Sequence, residues 1–393
     1  MVHSTIRILQ LVPLLGCASS FFYYILCLLG ARSFLRQRTT EVYASPTKPL
    51  PPVSILKPLK GTDPEIYASF RSHCLQDYPQ YEIIFGVSDA ADPAVASVRQ
   101  LQQEFPSHSI RLVICPEILG ANVKVSNLEQ MVSESRYEYL LVNDSDIRVE
   151  RDYLQHVVAP LIDNRVGMVT ALYRGVAEPT LGSHLESLGI STDFCAGVLA
   201  AKQLEGGLQF GLGSTLAFRR RDLERLGGFR SIVDFLADDY ELGRRIADLG
   251  LTVVLSSVVV ETHLPAYGLS GFFAHQMRWA RGVRDARLGG YIGLGSTFGL
   301  FWALMNLIAF HWAPWAIGVF ATVALARLAV AIVIGRFVLE DRQVSKQLWM
   351  LPVRDLIAVG IWLVSFAGHT VTWRGDRFQL KNGRLIRIEN RSG

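Results

Sequence analysis

The chain has 393 residues, of which 50% are hydrophobic and 19% are charged, and its formal net charge is +4. That length allows a large core plus additional segments. The modest charge argues against a nucleic-acid groove and favours basic flanks on a membrane surface, so we expect no nucleic-acid partner. The five cysteines show no metal-binding or redox spacing, and we expect them to be reduced.

The apolar residues are concentrated in runs long enough to cross a membrane. The first, Ile8 to Gly30, has spanning length, which with the lack of a small-residue exit argues against the alternative of a cleaved signal peptide. Gly293 to Val338 has room for two spans with a break near His311 to Pro314, and Leu356 to Trp373 is a candidate third. We therefore expect an integral membrane protein with an anchor in residues 1–31 and helices in residues 293–373.

Basic residues beside the first apolar run predict its orientation. Arg32, Arg36 and Arg38 follow that run, which by the positive-inside rule places this flank and the following domain on the cytoplasmic face. The basic tail, residues 374–393, also predicts a cytoplasmic end. Because three C-terminal spans would put the tail outside, one apolar run is expected to lie in the membrane interface.

Residues 50–270, which follow a proline-rich linker from Pro46 to Pro52, alternate between predicted strands and predicted helices. Such alternation predicts an α/β domain with a mostly parallel sheet, whose ligands bind at the carboxyl ends of the strands. The predicted strands are Val53–Leu56, Tyr81–Val87, Arg111–Ile114 and Tyr139–Val142. The predicted helices are Asp63–Cys74, Ala94–Phe105 and Asn127–Ser135.

Carboxylates follow two of these strands. Asp144 and Asp146 follow the fourth strand one residue apart, so both can bind a divalent cation that holds a diphosphate. The alternative is a turn that closes the strand. Asp89 ends the second strand, where it could accept a hydrogen bond from a uracil ring N–H. The nearby Asp92 is better explained as a helix cap before Pro93.

Two further polar candidates lie in loops of the same domain. Lys124, in the polar segment 120–127, could reach a phosphate or the uracil, although a solvated loop explains the segment nearly as well. Asn127 could cap the following helix. His263 is a candidate third metal ligand, although a single histidine after a strand is more often structural.

An acidic pair, Asp238 and Asp239, marks the start of a later helix. The apolar face of that helix includes Leu242, Ile246 and Leu249. The helix dipole favours ionised carboxylates in the first turn, and an ionised carboxylate suits a general base. A helix cap explains one acid but not a pair. Because the spacing to Leu242, Arg245, Gly250 and Arg278 counts from Asp239, we expect Asp239 to be the base and Asp238 to support it.

An amphipathic stretch rich in aromatic residues and arginines, Phe272 to Arg287, lies in an expected interfacial segment, residues 271–292. It contains His275-Gln-Met-Arg-Trp279. Arg278 suits a leaving diphosphate, and Trp279 suits a sugar or the bilayer interface. An interfacial helix with snorkelling arginines is the alternative, and both descriptions can hold for different residues.

Taken together, these residues resemble the ceramide glucosyltransferase family of inverting, nucleotide-sugar-dependent transferases, whose bacterial relatives include glycosyltransferases associated with hopanoid biosynthesis. The resemblance runs from Ile55-Leu-Lys-Pro-Leu-Lys-Gly61 to Trp373-Arg-Gly375, nearly the whole chain. The family pattern is an aspartate after the second strand, a D-x-D-like site, a catalytic aspartate and then (Q/R)-x-x-R-W. This pattern is matched in order by Asp89, Asp144 with Asp146, Asp239, and Arg278 with Trp279.

Two positions depart from the resemblance. His275 stands where the family has Gln or Arg, which leaves open whether His275 or Gln276 contacts the donor phosphates. Asp146 stands where animal ceramide enzymes have Gly. The second departure favours a bacterial-type member, in an inner membrane, with a complete metal site.

The resemblance implies a GT-A (Rossmann-like) fold and direct displacement with inversion. Asp239 would deprotonate a lipid hydroxyl, while Mg²⁺ or Mn²⁺ on Asp144 and Asp146, helped by Arg278, would neutralise the departing UDP. The expected partners are a UDP-sugar donor and a membrane lipid acceptor, either a hopanoid polyol with N-acetylglucosamine or ceramide with glucose. The alternatives are a polyprenyl-phosphate sugar transferase and a non-catalytic membrane protein that binds a nucleotide or lipid.

Overall fold

The computed structural model describes residues 2–42 and 49–388, so part of the predicted linker and the last five residues of the basic tail lie outside the described residues. The chain forms two compact units. The membrane-helix unit contains residues 1–35, 179–204 and 267–382, and the sheet unit contains residues 36–178, 205–266 and 383–393. This division differs from the predicted domain of residues 50–270, because residues 179–204 belong with the apolar helices.

The elements alternate along the described residues much as the sequence predicts. The strands are β1 (Val53–Pro58), β2 (Tyr81–Val87), β3 (Ile110–Ile114), β4 (Tyr139–Val142), β5 (Ile147–Arg148), β6 (Val166–Val176), β7 (Leu216–Arg219), β8 (Thr252–His263), β9 (Thr370–Trp373), β10 (Asp376–Lys381) and β11 (Arg384–Arg387). The α-helices are α1 (Val2–Val42), α2 (Ile66–Cys74), α3 (Ala94–Glu104), α4 (Val123–Glu134), α5 (Tyr153–Val158), α6 (Leu181–Gly189), α7 (Cys195–Glu205), α8 (Arg220–Arg225), α9 (Asp238–Asp248), α10 (Leu269–Ala286), α11 (Leu288–Leu294), α12 (Gly299–Ala309), α13 (Pro314–Ala331), α14 (Arg342–Gln347) and α15 (Leu351–Ser365).

The sheet unit is built on one mixed sheet with the strand order β3-β2-β1-β4-β7-β6-β8-β5. The first four strands are parallel, as are β6 and β8, whereas β7 and β5 are antiparallel to their neighbours. Ile55 and Leu56 in β1 are fully buried, as expected of parallel strands with both faces covered. The carboxyl ends of β2, β1 and β4 therefore lie side by side at one sheet edge.

A side-chain cap sets the start of α4 next to that edge, and the Asp92 side chain contacts the start of α3. Asn122 accepts a hydrogen bond from the Val125 N–H at 3.2 Å, so α4 begins four residues earlier than predicted. The prediction that Asn127 caps this helix is wrong, because Asn127 lies inside α4 and its Oδ1 accepts from Ser88 Oγ at 3.0 Å. At the start of α3, Asp92 accepts from the Ala94 N–H at 2.9 Å, as expected of a cap-type contact.

Three helices of the described residues are long and apolar enough to cross a membrane: Gln10–Thr40, Pro314–Val338 and Arg342–Ser365. A fourth candidate is a helix pair, Leu288–Thr297 and Gly299–Ala309, bent by 52°. These findings support the predicted anchor and C-terminal helices.

The C-terminal runs differ in detail from the prediction. The break near His311 is confirmed, since His311 and Trp312 have φ angles of 47° and 60°. The third run is wrong at both ends: the apolar helix starts at Arg342 and ends at Ser365, and Thr370–Trp373 forms β9. The predicted run began after Asp355, since a charged residue is rare inside an apolar helix. In the structure Arg327 pairs with Asp355 at 2.8 Å, which makes this carboxylate compatible with the helix.

Candidate active site

The ends of β1 and β4 bring Lys57 and Asp144 together in the sheet unit. The fully buried Lys57 donates a hydrogen bond from Nζ to the backbone oxygen of Asp144 at 2.9 Å. Burial lowers the pKa of Lys57 to about 7, although the carboxylates of Asp146, Asp144 and Asp63 oppose this. The sequence prediction missed this tether, and its available signal was a lysine in the buried strand before Pro58.

Lys124 joins the two acidic motifs. Its Nζ lies 2.8 Å from Asp144 Oδ1 and 3.2 Å from Asp238 Oδ2. Burial opposes the charged form of Lys124, but the two carboxylates outweigh burial and hold the pKa of Lys124 above its usual range. The residue lies in the first turn of α4 rather than in a solvated loop, so a permanently charged ammonium sits between the motifs.

Asp239 has different surroundings from its neighbour. Its Oδ2 accepts from the Gly213 N–H at 2.7 Å and its Oδ1 from the Tyr240 N–H at 2.8 Å. Burial, and then the charge of Asp238, raises the pKa of Asp239 to about 6. Burial and a like charge thus oppose the ionised form that the helix dipole favours. At neutral pH Asp239 is still mostly ionised and is a stronger base than an ordinary aspartate.

Gly213 marks the place where Asp144 and Asp239 approach each other. A Cβ atom on Gly213 would lie 3.1 Å from Asp239 Oδ2 and 3.3 Å from Asp144 Oδ2. Both carboxylates therefore border one small space, and a residue without a side chain lets the backbone N–H reach Asp239. The motifs predicted from separate segments converge here.

β8 holds Asp146 in place. Thr262 Oγ1 donates to the carboxylate of Asp146, and the His263 N–H donates to its backbone oxygen at 3.4 Å. Burial, and then Asp144, raises the pKa of Asp146 to about 6. The His263 Nε2 atom lies 3.7 Å from Glu261 Oε2.

A preformed three-residue metal cage is absent from the described part of the chain. Residues 2–42 and 49–388 contain no group of three His, Cys, Asp or Glu side chains that could hold a metal ion. The structure does not preassemble His263 with Asp144 and Asp146, and His263 as a metal ligand stays a prediction.

Asp144 and Asp146 by themselves still suit a divalent cation. Mg²⁺ usually binds through one or two carboxylates together with water and substrate phosphates, rather than in an all-protein cage. Burial, and then the charge of Asp144, raises the pKa of Asp146, and a bound cation would favour its ionised form. Lys124 already places one positive charge against Asp144. The donor set therefore fits a cation that arrives with a diphosphate.

Asp89 lies exposed just beyond the end of β2, at the same sheet edge. Its Oδ1 accepts from the Ala91 N–H at 2.9 Å, which closes a tight turn. The structure thus places Asp89 where a ligand of this edge could meet it. Its contact with a nucleotide stays a prediction.

The aromatic and arginine motif lies on α10 of the membrane-helix unit. His275 Nδ1 is 2.7 Å from Oε1 of the buried Glu186, and its ring stacks on Tyr267 with centroids 5.6 Å apart. Gln276 Oε1 accepts from the buried Arg354 at 3.2 Å. Both residues whose phosphate contact was left open are therefore held by charged partners in this unit.

The end of the motif packs against an irregular helix of the same unit. The ring of Trp279 meets that of Phe194 edge to face at 5.6 Å, and Phe194 ends a π-helix, Ile190–Phe194. Arg278 lies one residue earlier on α10. The stretch is helical, while its place at the membrane interface and the donor contacts of Gln276, Arg278 and Trp279 stay predictions.

Residues 12–386 match the protein family described as glycosyl transferase family 21. The chain belongs to this family. This family 21 glycosyltransferase is 24% identical to ceramide glucosyltransferase 3 of Caenorhabditis elegans, over 69% of the chain and 58% of that relative. It is 22% identical to ceramide glucosyltransferase 1 of the same organism, over 98% of the chain and 83% of that relative. The predicted family resemblance is confirmed, although the chain spans less than two thirds of the first relative.

The fold of this family 21 glycosyltransferase is shared with a solved structure. A mannosyltransferase from Pyrobaculum calidifontis, in complex with GDP-Man and Mn²⁺, superimposes with a TM-score of 0.53 at 22% identity. The match covers 90% of this chain and 97% of that one. The predicted GT-A fold is thereby confirmed.

Lys124→Met is expected to destabilise the protein more at neutral than at acidic pH. The folded pKa of Asp239 is raised to about 6, so its unfavourable charge is present above pH 6 and is lost as the pH falls. Without the ammonium we expect a loss of about 2 kcal/mol at pH 7.5 and a smaller loss at pH 5.

Thermal unfolding at the two pH values measures this difference, with Lys124→Arg as the charge-retaining control. Equal losses for Lys124→Met at both pH values would contradict the role assigned to the ammonium.

Proposed function

We propose that this glycosyltransferase transfers a hexose from a UDP-sugar to a lipid hydroxyl at the cytoplasmic face of a membrane, with inversion at the anomeric carbon. The observation that carries the proposal is the approach of Asp144 and Asp239 to Gly213. Asp239 accepts a hydrogen bond from the Gly213 N–H and is more basic than an ordinary aspartate. A carboxylate that can hold a cation, placed beside a base, suits transfer from a diphosphate donor to a hydroxyl.

Asp239 is the proposed general base. Its ionised carboxylate accepts the proton of the acceptor hydroxyl as that oxygen attacks the anomeric carbon, and the bond from this carbon to the UDP oxygen breaks on the opposite face. Asp238 cannot share this role equally, because its Oδ2 is paired with Lys124 at 3.2 Å. Asp238 instead adds its negative charge to the effect of burial, and both raise the pKa of Asp239.

The donor diphosphate is proposed to bind beside Asp144 and Asp146. A divalent cation on these carboxylates, Mg²⁺ or Mn²⁺, would supply positive charge where UDP gains negative charge. Lys124 adds a fixed ammonium next to Asp144. The Pyrobaculum calidifontis protein, described with GDP-Man and Mn²⁺, makes Mn²⁺ a natural choice in the assay.

The remaining donor contacts are proposed from the family pattern. Asp89 would accept from the uracil N–H at the end of β2. Arg278 would contact the leaving diphosphate, with Gln276 and Trp279 beside it on α10. The hydrogen bond from Arg354 to Gln276 supports an ordered motif of this kind.

The acceptor is proposed to be a membrane lipid, which the candidate membrane helices support. The curated relatives are named ceramide glucosyltransferases, which favours ceramide and glucose. Asp146, absent from the animal enzymes of the resemblance, favours a bacterial-type enzyme acting on a hopanoid polyol with N-acetylglucosamine. Carboxylates at every motif position argue against a non-catalytic binding protein.

Asp239→Asn is expected to lower kcat by about 10²–10⁴-fold while leaving the KM for the UDP-sugar within a few-fold, because it removes the base and keeps the shape. UDP release by purified protein with metal and lipid extract measures this. Asp248→Asn, on the same helix and paired at the surface with Arg244, is the matched control and should keep full activity. Equal rates for Asp239→Asn and the parent would end the base assignment.

Chelation of divalent cations is expected to stop turnover, and Mg²⁺ or Mn²⁺ should restore it. Asp144→Asn should raise the cation concentration for half-maximal activity by about 10–100-fold, because one anionic ligand is lost. Asp152→Asn, an exposed carboxylate of the same unit, is the control. Metal-independent turnover, or an unchanged metal requirement in Asp144→Asn, would contradict the cation site.

A further inference from the structure

We propose that β11, near the C-terminus, is a positioning strand that holds the segment leading into Asp238 and Asp239. The sequence indicated only a basic tail in this region. The proposal rests on the proposed function, since turnover through Asp239 is its main readout. It adds residues of the last strand to those on which the reaction depends.

Backbone hydrogen bonds join β11 to this segment within the sheet unit. The Leu385 N–H donates to the backbone oxygen of Asp234 at 2.7 Å, and the Leu236 N–H donates to the backbone oxygen of Gly383 at 3.1 Å. Phe235 and Arg384 form an antiparallel bridge between these bonds. The backbone just before α9 is therefore fixed by a strand from the far end of the chain.

Phe235 extends the contact to α9, the helix that begins with Asp238 and Asp239. Its ring lies 5.1 Å from the guanidinium of Arg384 on β11 and 5.4 Å from that of Arg245 on α9. Gly383 has a φ of 77°, and a Cβ there would lie 3.3 Å from the Phe235 ring. Phe235 thus packs against two cations, one on each element.

The opposite side of the segment is held by the start of α4. Asp234 Oδ1 accepts from the Ala121 N–H at 2.9 Å. Asn122 Nδ2 donates to the Phe235 oxygen at 2.8 Å and lies 3.4 Å from Asp238 Oδ1. The segment therefore lies between β11 and the helix that carries Lys124, and removing β11 leaves it held on one side.

Loss of β11 is expected to misplace the base more than the donor. Asp144 and Asp89 follow β4 and β2, which are hydrogen-bonded in the sheet, whereas Asp239 follows the segment held by β11. Because small displacements of a reacting group cost large factors in rate, kcat should fall while donor binding is kept.

Two point variants of the full-length chain test this. Leu385→Ala removes a side chain that is 3% exposed, and Ile386→Ala makes a similar change at a side chain that is 47% exposed. We expect kcat to fall about tenfold or more in Leu385→Ala, with the UDP-sugar KM within about threefold, and no change in Ile386→Ala. Hydrogen exchange of residues 232–240 should be faster in Leu385→Ala alone.

Two shortened chains give a second, stronger test. A chain ending at Asn382 lacks β11, whereas a chain ending at Ile388 keeps it and loses only the last five residues. The first should lose about 100-fold in kcat and the second should match the parent. If the shorter chain unfolds globally, Leu385→Ala decides.

Three results would overturn the proposal. The first is an unchanged kcat in Leu385→Ala, and the second is faster hydrogen exchange of residues 232–240 without loss of kcat. The third is faster hydrogen exchange over the whole sheet unit, which would indicate a role in stability. These outcomes are separable from failure of the proposed function. If Asp239→Asn is inactive but Leu385→Ala is fully active, only the positioning role fails. If Asp239→Asn is active, the base assignment fails first.

Discussion

The contact of the Lys124 ammonium with Asp144 and Asp238 is the interaction on which the site depends. Four carboxylates, Asp144, Asp146, Asp238 and Asp239, are drawn into a partly buried region, where charges of one sign repel and lose hydration. One fixed ammonium, 2.8 Å from Asp144 and 3.2 Å from Asp238, offsets part of this cost. The remaining excess of negative charge suits the divalent cation that the proposed mechanism requires.

The same interaction separates the roles of the acidic pair. Lys124 pairs with Asp238. Burial, and then the charge of Asp238, raises the pKa of Asp239 to about 6 and outweighs the lowering effect of Lys124, so this carboxyl can accept a proton and is still ionised at neutral pH. Two adjacent residues on one helix thus become a paired anion and a base. Residues 234–236, which precede the pair, are hydrogen-bonded to β11 on one side and to the start of α4 on the other. We infer that these contacts orient the base.

Much of the fold could be predicted from the sequence, because alternating apolar strands and helices leave a strong local pattern. β1 to β4 and the residues at their ends, Asp89 and Asp144, lie where the pattern predicts. Long-range contacts were not predictable in this way. Gly213 and Leu385 have no local signature for their roles, since each meets its partner only after the chain has folded. Lys57 is visible as a lysine in a buried strand, but its partner Asp144 is not. The pKa of Asp239 likewise depends on burial that a helix-dipole argument does not include.

The central claim is that the enzyme moves a sugar from UDP onto a lipid hydroxyl with inversion, and analysis of its product tests this most directly. Membranes containing the protein are supplied with ¹³C-labelled UDP-glucose or UDP-N-acetylglucosamine together with ceramide or a hopanoid polyol. Mass spectrometry and NMR of the extracted lipids then identify the product. The account predicts a labelled glycolipid whose anomeric configuration is opposite to that of the donor, absent in Asp239→Asn. A labelled lipid with retained configuration, or label found only on a polyprenyl phosphate, would contradict it.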